Sequence, residues 1–267
     1  MQIPWKSFVA VGDSFTEGVG DELPDGSVRG WADMVAWGLA AASTEPITYA
    51  NLAIRGRLAA PIIGAQLDAA IALHPALLSL NAGGNDILRP RVSIPALADS
   101  IGLAVERAVA GGAHVLLATG GNPSGHMPLG SLVQWRGEQL AQAVRMRLPK
   151  DGVTLVDNWA DAELGRREYW AADKIHLNRR GHRRAAANAL TALGVPLPEL
   201  RFAAIDDETV ADVPALGRVE YWQEHVLPWV GRRLRGRSSG DGRAPKIATL
   251  QPVSLPRADS ADGSPRS

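Results

Sequence analysis

Ser14 ends an apolar run in VAVGDSFTEG, while Asp173 and His176 lie far downstream in ADKIHLNRRGH. A serine hydroxyl becomes a useful nucleophile only when a base takes its proton, and an imidazole base needs a partner that fixes its tautomer. Asp173 precedes His176 by three residues, a spacing that lets a carboxylate on a turn reach the imidazole Nδ1–H. Nε2 is then left to accept the Ser14 proton. Attack on a carbonyl also needs N–H donors aimed at the developing oxyanion. The candidates are the Ser14 N–H itself, Gly56 in NLAIRGR, and the amide of Asn85 in LNAGGNDI. Each residue has a plainer explanation. Ser14 reads equally as a helix or turn cap, His176 as a helix-entry residue bonded to backbone, and Gly83-Gly84-Asn85-Asp86 as a simple turn. An isolated Gly56 carries little by itself. The stretch Gly12-Asp13-Ser14-Phe15-Thr16 is not a G-x-S-x-G elbow, so a nucleophile here belongs to another arrangement.

What gives the set weight is the scaffold that would have to position it. Five short apolar runs read as buried strands: SFVAVG (7–12), ITYANLA (47–53), ALLSLNAG (76–83), HVLLATG (114–120) and VTLVDNW (153–159). They are nearly continuous rather than alternating, as in a sheet covered on both faces. Amphipathic helical patterns separate or follow them at 30–42, 58–73, 94–112, 129–148 and 177–194. This alternation predicts one α/β domain with a doubly wound, flavodoxin-like parallel sheet. Ligands in such sheets bind beyond the carboxyl ends of the strands. Ser14, Gly56, Asn85 and the Asp173/His176 pair follow predicted strands one, two, three and five at that same edge.

Composition excludes several other functions. The 267 residues contain no cysteine, which rules out thiolate nucleophiles and disulfides, and zero formal net charge gives no global attraction to nucleic acid. No window approaches the roughly 20 apolar residues of a membrane span. The N-terminal MQIPWKSFVAVGDS lacks the pattern of a signal peptide, so a soluble, cytoplasmic protein is expected. His114 and His126 have no partners at metal-ligand spacing, and Gly18-Val19-Gly20 is not a dinucleotide fingerprint, so neither metal nor cofactor is expected. His74 and His182 read as surface or helix-packing residues. Trp135, Trp159, Tyr169 and Trp170 are candidates for lining a pocket, with Trp170 favoured by its closeness to Asp173. The loops at 20–29, 86–93, 121–130 and 160–172 would shape substrate choice, and GDELPDGSVRG reads as a mobile surface loop near Ser14.

The motifs together resemble the SGNH, or GDSL-like, hydrolases. GDSFTEG is similar to that family's first block, with Phe15 in place of the usual leucine. The glycine of NLAIRGR resembles the second block, GGND the third and DKIH the fifth, in the expected order across roughly residues 7 to 194. The resemblance implies a three-layer α/β/α sandwich on a five-stranded parallel sheet. It implies a metal-free serine esterase with Ser14 as nucleophile, His176 as base and Asp173 as its orienter. The Ser14 N–H, Gly56 N–H and Asn85 would form the oxyanion hole, with Asp13 and Asp86 as structural ties. The partner would be a small-molecule ester. The same residues could serve an acyltransferase or a thioesterase, and the fold alone a non-catalytic ligand-binding domain. The expected organisation is a hydrolase domain at 1–197 and a C-terminal extension at 198–237 with an amphipathic basic helix. A disordered Ser/Gly/Pro-rich tail is expected at 238–267.

Overall fold

The computed structural model describes residues 3–127, 129–196 and 239–255. The five apolar runs form β1 (Ser7–Val11), β2 (Thr48–Asn51), β3 (Leu77–Leu80), β4 (His114–Ala118) and β5 (Val153–Val156), all mutually parallel. Between them lie α1 (Ser14–Glu17), α2 (Trp31–Ala42), α3 (Ala59–Pro61), α4 (Leu67–Ala72), α5 (Ile94–Ala110) and α6 (Gly130–Arg145), with α7 (Arg179–Ala192) after β5. A π-helical turn, Ile62–Gln66, joins α3 to α4. Local chemistry sets several of the helix starts. Ser93 caps α5 through an Oγ bond from the Ala96 N–H, and Pro95 stands in the first turn, where its missing N–H costs nothing. Asn178 caps α7 by accepting the Gly181 N–H at 3.1 Å.

The described residues build one sheet of order β5-β4-β3-β1-β2-β6. Helices α2 and α7 cover one face around buried Phe8, Trp31, Met34, Leu39 and Leu190. The helices α3 to α6 cover the other, around Val9, Leu67, Leu78, Leu80 and Ile101. The chain leaves β1 toward β2 on one side and later places β3 on the other. The crevice between β1 and β3 is therefore a topological switch point, where parallel sheets bind their ligands.

The sheet departs from expectation at one edge. A sixth strand, β6 (Ile247–Pro252), pairs antiparallel with β2, in a stretch expected to be disordered. Its flanks are rich in glycine, proline and serine, but Ile247, Leu250 and Val253 pack against the two cores and the backbone completes the open edge of β2. Tertiary pairing overrides local composition here. Pro252 ends the strand, which is where an edge strand tolerates proline. The amphipathic stretch at 218–237 lies outside the described residues, and no described helix is long and apolar enough to cross a membrane.

The loop at 20–29 is pinned, contrary to its reading as a mobile segment. A Glu22–Val28 bridge closes it, Asp21 holds Arg29 in a two-point contact at 2.7 and 3.1 Å, and Arg179 reaches the same carboxylate at 3.2 Å. Of the two readings of His182, surface or helix-packing, the second holds. It is fully buried, accepts the Trp31 N–H at Nδ1 (3.3 Å) and donates from Nε2 to the Val19 carbonyl (3.1 Å). Burial pushes its pKa down to about 4, so it stays neutral.

Candidate active site

The turn after β1 is built by its smallest and its most polar residues. A Cβ on Gly12 would fall 2.4 Å from the Thr16 hydroxyl, so only glycine lets the chain fold back into α1. The Gly12 N–H donates to Gln66 Oε1 at 3.0 Å. Asp13 caps α1 by accepting the Phe15 N–H at 3.1 Å, and Ser14 opens the helix.

Ser14 Oγ lies 3.0 Å from His176 Nε2, and His176 Nδ1 lies 2.5 Å from Asp173 Oδ2. Residues 162 positions apart in the chain thus meet across the switch-point crevice. The second carboxylate oxygen of Asp173 accepts the backbone N–H groups of Ile175 and His176, each at 3.1 Å. Lys174, between Asp173 and Ile175, adopts φ 63°, a left-handed conformation uncommon for a residue with a side chain. The turn is clasped by Ala171 N–H to His176 O and Lys174 N–H to Ala171 O. Burial disfavours the imidazolium of His176, but the bond to Asp173 and its charge outweigh that and hold the pKa above its ordinary value. Asp173 is likewise opposed by burial, yet the His176 contact keeps it below the usual carboxylate range.

The other expected site residues gather on the loops around Ser14. Gly56 occupies the turn after β2 with φ 74°, which glycine alone adopts freely. The residue before it, Arg55, is locked onto Glu17 of α1 by its backbone N–H (2.6 Å), Nε (2.9 Å) and Nη2 (2.6 Å). Asn85 lines the same cavity as Ser14 and His176. Its Nδ2 donates to Asp13 Oδ2 and to the Arg57 carbonyl, both at 3.0 Å, so its two protons tie three loops together. Asp13 is nearly fully buried, and that burial raises its pKa to about 6. Asp86 accepts the Ala59 N–H at 2.9 Å, at the start of α3, and burial raises its pKa too. Trp170 is buried, lines the cavity and donates from its indole to the Leu164 carbonyl at 2.9 Å.

Sequence reasoning overlooked Gln66, Glu17, Arg55 and Lys246. Lys246 Nζ donates to the carbonyls of Glu17 (2.6 Å) and Val28 (3.1 Å) and to Asp33 Oδ2 (2.6 Å), tying β6 to the helix that begins with Ser14. Arg55 and Glu17 each sit inside a motif singled out for other residues, NLAIRGR and GDSFTEG, and so had a signal nearby. The pairings of the others span long stretches of chain and left no local trace. Among the described residues, no three His, Asp or Glu side chains converge as a metal site would require.

A polar cluster at the switch point of a parallel sheet, opening on an apolar cavity, defines an enzyme that works at the carboxyl edge of its strands. Residues 10–184 match the GDSL-like lipase/acylhydrolase family, and the chain belongs to this family of carboxylic ester hydrolases. Its fold is similar to that of the lipase Lip_vut3 from a goat rumen metagenome, with a TM-score of 0.59 and 18% identity over 71% of this chain and 97% of that one. TesA superposes with a TM-score of 0.58 and 25% identity, covering 70% and 97% respectively. Axe2, an acetylxylan esterase from Geobacillus stearothermophilus, gives a TM-score of 0.58 and 18% identity over 73% and 96%. No curated protein sequence matches the chain.

Proposed function

We propose that the protein hydrolyses carboxylic esters through an acyl-Ser14 intermediate, using protein groups alone. Ser14 Oγ attacks the ester carbonyl carbon while His176 Nε2 takes its proton. The carbonyl π pair moves onto oxygen, where the Ser14 N–H, the Gly56 N–H and the Asn85 amide would stabilise it. Asn85 reaches that oxygen by giving up one of its two present bonds. Collapse of the intermediate expels the alkoxide, which takes the proton from His176 and leaves as the alcohol. Water then attacks the acyl-serine, His176 again accepts and returns a proton, and the acid departs. Asp173 holds the imidazole in the tautomer with Nδ1–H and favours the transient imidazolium.

The observation that carries this reading is the 3.0 Å approach of Ser14 Oγ to His176 Nε2, with Asp173 behind the ring. A fluorophosphonate probe tests it, because that reagent phosphonylates an activated serine. The expected result is one adduct, on Ser14, with ester hydrolysis lost in proportion to labelling. Hydrolysis that persists in the fully labelled protein, or without any adduct on Ser14, would overturn the assignment.

A further inference from the structure

The cavity that opens at Ser14 and His176 does not stop at the polar groups. It measures about 170 Å³ and continues beneath α6. Val133, Gly137, Leu140, Ala141 and Val144 all line it. Their spacing of i, i+4, i+7, i+8 and i+11 places them along one face of the helix. Eleven residues of α6 cover roughly 16 Å at the helical rise. Leu117 of β4, Leu155 of β5 and Ile101 of α5 form the facing wall. Gly137 has a part in this shape. A Cβ there would fall 2.0 Å from the Trp159 indole, so the missing side chain lets that ring lie against the helix as a further wall.

The dimensions discriminate between substrates. Pockets for compact, drug-sized ligands run from about 300 Å³ upward. A smaller volume drawn out along a helix, with mostly apolar walls that offer few partners to a sugar's hydroxyls, suits an unbranched hydrocarbon. Its walls away from the mouth are mostly apolar, and each methylene moved from water into such a wall strengthens binding about fourfold. Resting on the serine-esterase reading above, we propose that the channel beneath α6 is the acyl subsite. The substrates it selects are esters of linear, medium-length fatty acids, with Ala141 and Gly137 governing the chain length accepted.

The test compares 4-nitrophenyl octanoate, 4-nitrophenyl acetate and peracetylated xylose in the full chain. The parent is expected to show kcat/KM at least tenfold higher for octanoate than for acetate. Ala141→Phe, which fills the channel, is expected to lower the octanoate-to-acetate ratio at least tenfold, and Ala141→Leu serves if the larger ring prevents folding. A parent that prefers acetate or the acetylated sugar would overturn the proposal, as would an unchanged ratio in a folded variant. Fluorophosphonate labelling separates the two levels of failure. An adduct on Ser14 without chain-length preference removes the acyl subsite alone, whereas no adduct and no hydrolysis removes the serine reading and the subsite with it.

Discussion

Two regions flank Ser14, and they are made of opposite materials. On the side of β2 and β6, charged groups interlock: Glu17 with Arg55, Asp21 with Arg29 and Arg179, and Lys246 with Asp33 and two carbonyls. On the side of β4 and β5, the channel beneath α6 is largely walled by aliphatic and aromatic side chains. Hydrogen bonds are directional, and a buried charge without its partner is costly, so the first region tolerates one arrangement. Apolar contact is non-directional, so the second can accept contents of varying length. The difference matches what each must do. Under the proposed mechanism, the loop carrying Gly56 and the helix starting at Ser14 have to hold reacting atoms within a fraction of an ångström. A wall that receives a hydrocarbon, as we propose for the channel, has only to exclude water and leave room.

The sharpest way to break this picture is at the junction of the two regions. Ser14→Ala removes the hydroxyl and nothing else of substance, and by the behaviour of other triads it should lower kcat by roughly three to six decades. Steady-state rates on 4-nitrophenyl butyrate would measure it. Parental rates in the variant would separate the polar seam from any role in the chemistry.

The next largest effect concerns His182, whose ring joins α7 to the loop after α1. Its folded pKa of about 4 lies below the ordinary 6.5 because burial penalises the charged ring. Between those values the unfolded chain binds a proton that the folded protein refuses, so this residue makes stability fall as pH drops from 6.5 to 4. The span corresponds to about 3 kcal/mol at 1.36 kcal/mol per pH unit. Burial of Asp13, whose pKa rises to about 6, acts in the opposite direction over much of that range, so the comparison must be made against a variant. Urea unfolding at pH 6.5 and pH 4 should show the parent losing about 3 kcal/mol more than His182→Gln. Equal losses would mean that the buried ring titrates freely.

Lys246→Met probes the seam from its far end. The substitution leaves Asp33 and two carbonyls without their common donor at a site only partly open to water, where the side chains are 19% and 13% exposed. A loss of about 2 kcal/mol, lowering Tm by roughly 4–8 °C, is expected. Thermal unfolding would measure it, with Lys246→Arg recovering part of the loss. A Tm equal to the parent's would make the sixth strand an appendage rather than a fastening.

These long-range partners also mark where the sequence stopped being readable. The meeting of Ser14, Asp173 and His176 was legible because strand ends in a parallel sheet share one edge, so residues following successive strands converge. Gly56 was legible only beside its motif. The strand at Ile247–Pro252 was not, because its cue was the open edge of β2, a property of the assembled sheet. Asn85 was read as an amide that could donate to an oxyanion, but not as the tie between Asp13 and the Arg57 carbonyl. The channel beneath α6 left only the hint of Trp159 and Trp170 as pocket-lining candidates, and nothing of its course. A void is volume that side chains fail to fill, and neither residue type nor periodicity records it.

The smallest expected effect is a displacement along the pH axis, and it tests whether Asp173 tunes the base or only holds it. In the proposed mechanism, catalysis needs neutral His176 to receive the Ser14 proton. Burial opposes the charged ring, but the Asp173 carboxylate outweighs it and lifts the pKa above its ordinary 6.5. The neutral fraction therefore declines on the acid side of that raised value, and kcat/KM should fall along a limb whose midpoint lies above 6.5. In Asp173→Asn the opposing charge is gone while burial remains, so the limb should move to lower pH even as the overall rate drops. Matching the two profiles for one ester decides the point: a limb that stays in place would mean that Asp173 orients the ring without setting its proton affinity.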